Sequence, residues 1–229
     1  MEQNQCGQIL GFPVENWTQR KEPLRVKING QYCRLEPLNP KLHAEPLFEA
    51  FWHNNCGETW TYLPYGPFEM LDDFSGWLNK ANDVKSVFVI IDLQSSTAQG
   101  TANYHDMDLA HGVIEVGGIH YSKQLQKTRA ATEAMYLMMR HVFDDLEYRR
   151  YQWRCNALNK ASRQAAERLG FKFEGIFRQS NVFKDRNRDT AWYSIINSEW
   201  PELKIKLEKW LDPHNFDTSG KQILSLKEC

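Results

Sequence analysis

The chain has 229 residues, 41% apolar and 25% charged, with a formal net charge of −1. That balance suits one globular domain with a sizeable core, and it excludes a global field that would gather nucleic acid or anionic lipid. Five scattered cysteines (Cys6, Cys33, Cys56, Cys155, Cys229) form no CxxC pair and the seven histidines are dispersed, so reduced thiols and no metal site are expected.

The N-terminus, MEQNQCGQILGFP, has no apolar signal core, and no run approaches the roughly 20 apolar residues of a membrane helix. A cytoplasmic protein without a membrane partner is expected. Residues 1–22 lack periodicity and read as a leader, 23–212 as the domain and 213–229 as a tail. Tyr32 to Leu38 alternates as a strand, and Lys41 to Trp52 is spaced as an amphipathic helix. In TWTYLPYGPFEM, Pro64, Gly66 and Pro67 exclude a long regular element. Asp72 to Lys80 predicts a short helix. The run SVFVIID, Ser86 to Asp92, predicts a strand covered on both faces. Gln99 to Asp106 is a more polar strand. Gly112 to Tyr121 carries Gly117-Gly118 in mid-run, which argues for a bulge or a close backbone approach.

The strongest helix follows, with Ala131, Met135, Met138, Val142 and Leu146 on one face. Arg150 to Ala157 predicts a strand. Asn159 to about Leu169 predicts a helix with Asn159 as N-cap and Gly170 as stop. Phe171 to Phe183 and Thr190 to Asn197 predict a hairpin around KDRNRD, and Pro201 starts a last helix ending near Leu211. A strand–helix–strand unit inside a mostly antiparallel series implies a mixed α/β or α+β sheet.

The stretch LQKTRAATEA, Leu125 to Ala134, is the chemically informative one. It opens a helix, whose free N–H groups make that end partly positive, yet Lys127 and Arg129 crowd its first turn. An anionic ligand would explain them: a bulged strand splays from its neighbour, and the turn aims helix N–H groups at a pyrophosphate. A solvated helix start whose cations make surface pairs is the alternative.

The turn Gln126-Lys127-Thr128-Arg129-Ala130-Ala131 resembles the Q/R-x-x-G-x-G/A motif of the GNAT superfamily of acetyl-CoA-dependent N-acetyltransferases, with Arg129 in place of the first glycine. The segments NKASRQAAERLGFKFEG and DTAWYSIINSEWP resemble those of the RimJ/RimL-like branch, and the likeness spans about residues 24–212. It implies a mostly antiparallel sheet splayed at the acetyl-CoA site and flanked by helices. It also implies roles. Backbone groups around Gly118, Ile119 and Tyr121 would pair with pantetheine. The amides from Gln126 through Lys127, Thr128, Arg129, Ala130 and Ala131 to Thr132 would hold the pyrophosphate. Asn159 would touch pantetheine, although an N-cap needs no ligand to explain it.

Acyl transfer from a thioester needs a neutral amine, a stabilised oxyanion and a proton for the leaving thiolate, and a free lysine-type amine has a pKa of about 10.4. The resemblance gives the oxyanion to the amide near Ile119. The tyrosine acid of many GNAT enzymes is replaced by Ala166, leaving Ser162 as thiolate proton donor. A carboxylate that some relatives carry corresponds to Asn181. Glu115, on the bulged strand, is the preferred base, directly or through a water, and His120 the second choice; either could instead be a core or surface residue. Trp60, Tyr62, Tyr65 and Phe68, with Tyr104 and His105, could shape the acceptor end; aromatics bury large areas, so core packing is the favoured reading. The KDRNRD loop could recognise an acidic acceptor or be a solvated tip. The implied activity is acetyl transfer from acetyl-CoA to a primary amine, on a small molecule or a protein N-terminus. A non-catalytic acyl-CoA-binding module is the alternative. A nucleic-acid role for the patches Arg149–Arg154 and Lys184–Arg188 is disfavoured by the neutral charge.

Overall fold

The computed structural model describes residues 2–52, 57–83 and 86–229; Cys56 lies outside them. One eight-stranded sheet organises the chain, in the order β1-β2-β3-β4-β5-β6-β8-β7. Its first half is β1 (Ile28–Asn29), β2 (Cys33–Pro37), β3 (Val87–Asp92), β4 (Thr97–Asp108) and β5 (Val113–Tyr121), all paired antiparallel. Its second half is β6 (Arg150–Asn156), β8 (Arg186–Ile196) and β7 (Lys172–Phe183), also antiparallel. The two halves meet in one parallel pair, β5 with β6. A parallel pair needs a crossover, and α3 (Arg129–Arg140), continued by a π turn at His141–Asp145, supplies it.

The expectation for SVFVIID holds on both faces. Phe88 and Ile90 of β3 join a core with α3, whereas Val87, Val89 and Ile91 join a second core with α1 (Pro40–Trp52) and α2 (Leu71–Asn82). The second core takes in Leu47, Phe51, Trp60, Phe74 and Leu78. On the far side α4 (Lys160–Arg168) and α5 (Trp200–Leu211) complete the cover, and Leu226 of the C-terminal segment is buried with them.

The spacing of α3 predicts one apolar face, yet every residue from Ala130 to Met139 is buried. The sheet covers one side, and α5 with the C-terminal segment covers the other. Glu133 survives there because its carboxylate accepts from the backbone N–H groups of Gln31, Tyr32 and Cys33, each at 2.7 Å. A buried carboxylate is tolerated when donors of this kind saturate it. It locks the β1–β2 turn onto the crossover helix.

The hairpin is tighter than KDRNRD suggests. Lys184 and Asp185 alone form the turn, with φ of 50° and 57°, the two positive φ values of the turn that matches strand twist. Arg186 to Asp189 therefore belong to β8. The cysteines Cys6, Cys33, Cys155 and Cys229 are free thiols. Among the described residues, no helix is long and apolar enough to cross a membrane.

Candidate active site

Pairing between β5 and β6 stops at Val116 and Trp153, although both strands run on to Tyr121 and Asn156. The cause begins with Gly117-Gly118. On β4, Asn103 pairs with Gly117 and Thr101 with His120, so Gly118 and Ile119 together oppose Ala102. This is a two-against-one bulge. Gly118 holds a φ of 55°, and a Cβ on Gly117 would lie 2.0 Å from Nε2 of His105. Neither position takes a side chain without displacing the wall. Past the bulge the strands part, and a cavity of about 1280 Å³ fills the gap.

One end of the cavity meets the start of α3. Gln126, Lys127, Ala131 and Thr132 line it. Lys127 takes a φ of 63°, and Gln126 Nε2 donates to Tyr121 O at 3.0 Å. Several amides of this turn are engaged within the chain. Gln126 N donates to Ser122 O (3.1 Å), Thr128 N to Leu125 O (3.3 Å) and Thr132 N to Thr128 O (3.3 Å). Ala131 N donates to Oγ1 of the N-cap Thr128 (3.1 Å). Among the described residues this leaves the amides of Lys127, Arg129 and Ala130 without partners, fewer than the run from Gln126 to Thr132 that was expected. The Ala130 methyl is buried in the core.

Arg129 is a second correction. Its guanidinium stacks 4.6 Å over Tyr32 and 4.8 Å over Phe216, on the side of the C-terminal segment, and does not line the cavity. The cation found there instead is Arg168, which donates to Thr132 Oγ1 at 3.1 Å and lies 4.8 Å over Trp210. Sequence reasoning missed it because its partner is 36 residues away. If the turn holds the CoA pyrophosphate that the resemblance implies, Lys127→Glu raises the CoA dissociation constant about tenfold, as one lost charge contact costs roughly 1.4 kcal/mol. Arg129→Gln should leave that constant within twofold and lower the melting temperature instead; isothermal titration and a thermal melt separate the two.

The middle of the cavity carries Tyr121, Asn159 and Ser162 beside the bulge. Asn159 caps α4 by accepting from Ser162 N at 3.1 Å, and Trp153 Nε1 donates to Ser162 Oγ at 3.0 Å. Beside Ser162, burial pushes the Cys155 thiol upward against a Ser162 hydrogen bond that lowers it. Ala166 is in the core, and Asn181 is exposed away from the cavity.

At the other end, strand alternation separates two neighbours. Thr101, Asn103 and His105 of β4 face the cavity, so Tyr104 faces the core. Tyr104 is fully buried, with its hydroxyl donating to Met138 O at 2.8 Å, and it cannot touch an acceptor. Trp60 is likewise only 1% exposed, packed against Phe51, Phe68 and Phe74. Tyr62 and Tyr65 do line the wall. Two ties close this side: Tyr62 Oη donates to Leu158 O (3.3 Å), and Lys184 Nζ donates to Trp60 O (3.0 Å).

Glu115 is 2% exposed at this end. His105 Nε2 lies 3.2 Å from its Oε1, and the Arg154 guanidinium pairs with both Glu115 and Asp106. Burial raises the Glu115 pKa, against the lowering influence of His105 and Arg188. The ligand atoms of His105, Asp106 and Glu115 lie within 4.8 Å of one another, but the cation lodged on the two carboxylates is Arg154. His120 is different: stacked 3.7 Å from Phe51 with Nε2 3.0 Å from Thr59 Oγ1, it is driven by burial to a pKa of about 3. It therefore stays neutral at pH 7 and binds a proton too weakly for the second-choice role of base.

The family model described as acetyltransferase (GNAT) domain matches residues 33–172. The chain belongs to the GNAT acetyltransferases. A crystal structure of a GCN5-related N-acetyltransferase from Brucella melitensis superposes with a TM-score of 0.92 at 45% identity, covering 94% of this chain and 98% of that one. A probable GNAT-family acetyltransferase from Chromobacterium violaceum gives 0.78 at 38% identity, over 84% and 98%. In sequence, a Bacillus subtilis protein described as a candidate ribosomal N-acetyltransferase, YdaF, is 27% identical over 101 residues. That match spans 44% of this GNAT chain and 55% of the relative, about half its length.

Proposed function

We propose that this GNAT protein transfers the acetyl group of acetyl-CoA to a primary amine by direct attack in a ternary complex. The observation that carries the proposal is the parting of β5 and β6 past Gly117, together with the free amides of Lys127, Arg129 and Ala130 at the start of α3. The cavity residues fit acetyl-CoA. Past the bulge, β5 and β6 leave backbone groups unpaired with each other, and buried Asn103 Oδ1, beside Gly118, has no hydrogen-bond partner. Those groups suit a ligand with amide and carbonyl groups along its length.

Bound acetyl-CoA supplies an activated thioester, and the residues of this chain then bind, orient and move protons. Backbone groups of Gly118, Ile119 and Tyr121 with Asn159 hold the pantetheine stretch. Lys127, Arg168 and the amides of Lys127, Arg129 and Ala130 face the phosphates. The Ile119 N–H stabilises the developing oxyanion. His105, at the cavity wall, passes the amine proton to Glu115, whose raised pKa makes it a better acceptor than an ordinary carboxylate. Ser162 donates at the sulfur: because its Oγ accepts from Trp153 the oxygen is better able to lose its proton, which turns from Cys155 to the leaving thiolate.

The acceptor is a small amine or a protein N-terminus; the likeness to YdaF, described as a candidate ribosomal N-acetyltransferase, favours a protein amine and the RimJ/RimL resemblance an N-terminal one, whereas the two ties over the acceptor end favour a slender one. The test combines melting with acetyl-CoA or CoA and release of CoA across an amine panel including N-terminal peptides. Stabilisation by either ligand at millimolar concentration is expected, with CoA release from at least one amine. Binding without release would reduce the protein to an acyl-CoA carrier, and no thermal shift would remove the cofactor assignment. Ser162→Ala should lower kcat about tenfold to a hundredfold while leaving CoA affinity within twofold; an unaltered kcat would remove Ser162 from the mechanism.

A further inference from the structure

Arg188 is the one residue of the KDRNRD segment that reaches the cavity. Lys184 is folded onto Trp60 O, Asp189 accepts from Gln179 N at 2.7 Å, and Asn187 donates to Asp189 at 3.0 Å. The Arg188 side chain crosses the face of Phe183 at 4.6 Å, and its Nε is buried with no hydrogen-bond partner. Among the described residues no carboxylate lies within ion-pair distance of it. Its neighbour Arg154 already occupies Glu115 and Asp106.

A guanidinium is always protonated, and holding one half-buried with no carboxylate in ion-pair contact carries a desolvation cost. The position of the charge narrows its purpose. Arg188 is close enough to influence both Glu115 and Cys155, so it borders the point where the amine meets the thioester. The phosphates of the cofactor have their own cations, Lys127 and Arg168, at the start of α3. Arg188 is thus left to face what enters beside Glu115.

We infer that the acceptor is an anionic amine, one whose carboxylate or phosphate pairs with Arg188 while its amino group faces His105 and Glu115. The inference rests on the transferase reading and adds the charge class of its acceptor. A guanidinium can hold two anionic oxygens at once through two of its N–H groups.

The experiment titrates CoA-saturated protein by calorimetry with ω-amino carboxylates and with their carboxamides of equal length. Aminoalkyl phosphates against the matching amino alcohols form the second arm, which separates the two anion types. Expected is at least tenfold tighter binding of the anionic partner in one arm, with the gap narrowing to threefold or less in Arg188→Gln and partly restored in Arg188→Lys. The ratio of kcat/KM between the paired amines should follow the same pattern. Equal binding of charged and neutral partners by the wild type would overturn the inference. So would an equal loss for both in Arg188→Gln, which would make Arg188 a structural or general electrostatic residue. Because binding is read without turnover, an inactive enzyme that still prefers anions would sink the transferase reading and leave the anion site standing. An active enzyme without preference would do the reverse.

Discussion

Glu115→Gln is expected to lower kcat by roughly 10²- to 10³-fold, the range for loss of a positioned general base, while the KM for acetyl-CoA moves less than twofold. The substitution keeps the size and one hydrogen-bond acceptor of the side chain and removes the charge. Arg154 keeps its pairing with Asp106, so the guanidinium is not stranded. The pH profile makes the assignment specific. Glu115 must be ionised to accept a proton, and burial raises its pKa above the ordinary carboxylate value. Activity of the wild type therefore falls as pH drops through that raised pKa, and the acidic limb should be absent in Glu115→Gln. His120 cannot supply the limb, because its pKa of about 3 keeps it neutral through that window. Stability carries the opposite sign. A carboxyl with a raised folded pKa favours folding most when protonated, so its contribution is lost as pH rises through the interval between the unfolded and folded values. The variant should accordingly be no less stable at pH 8 than at pH 5 by this group's account, and a kcat within threefold of wild type would exclude Glu115 as the base.

What could be read from the sequence was what depends on period and on local backbone. The run SVFVIID, the helix after Ala131 and the Asn159 cap each state a local preference that packing respected, although α3 is buried all round and not on one face. Gly117-Gly118 also announced itself, because two glycines inside a strand have few purposes. The errors have a common cause: a side chain's type was visible, but its direction and its distant partner were not. Tyr104 and His105 are adjacent, and only register decides which one faces the cavity. Arg129 fits a phosphate turn by composition, yet Tyr32 and Phe216, 97 and 87 residues away, take its guanidinium. Arg154 and Arg188 looked like parts of basic patches on a neutral protein. Their meaning depends on Glu115 and Asp106, which claim one guanidinium and leave the other. Glu133 carried no signal at all, since its partners are backbone N–H groups of a remote turn. The alternation rule applied to β4 would have recovered Asn103 and His105; nothing local would have recovered Arg168.

Trp60→Ala is expected to act on stability first, and by a large amount. The side chain is 1% exposed and forms ring contacts with Phe51, Phe68 and Phe74, and its indole lies 4.1 Å from the His120 ring. Truncating a buried tryptophan costs about 3–5 kcal/mol, a large share of the roughly 5–15 kcal/mol that holds a domain folded. For a chain of this size each kcal/mol moves the melting temperature by about 2–4 °C, so a drop on the order of 10 °C should be seen, with a lower urea midpoint. The tie from Lys184 goes to the backbone carbonyl of Trp60 and survives the substitution in principle, but the loop that carries it loses its anchor. Tyr62→Phe is the matched contrast. It removes only an exposed hydroxyl and its bond to Leu158 O, so its effect on stability should stay under about 1 kcal/mol. Its effect on the KM of the acceptor should be the larger one, because that bond spans the acceptor side. If Trp60→Ala left the melting temperature intact and raised only the acceptor KM, the indole would be a substrate contact after all, and the packing of the second core would have to bear less on stability than its burial requires.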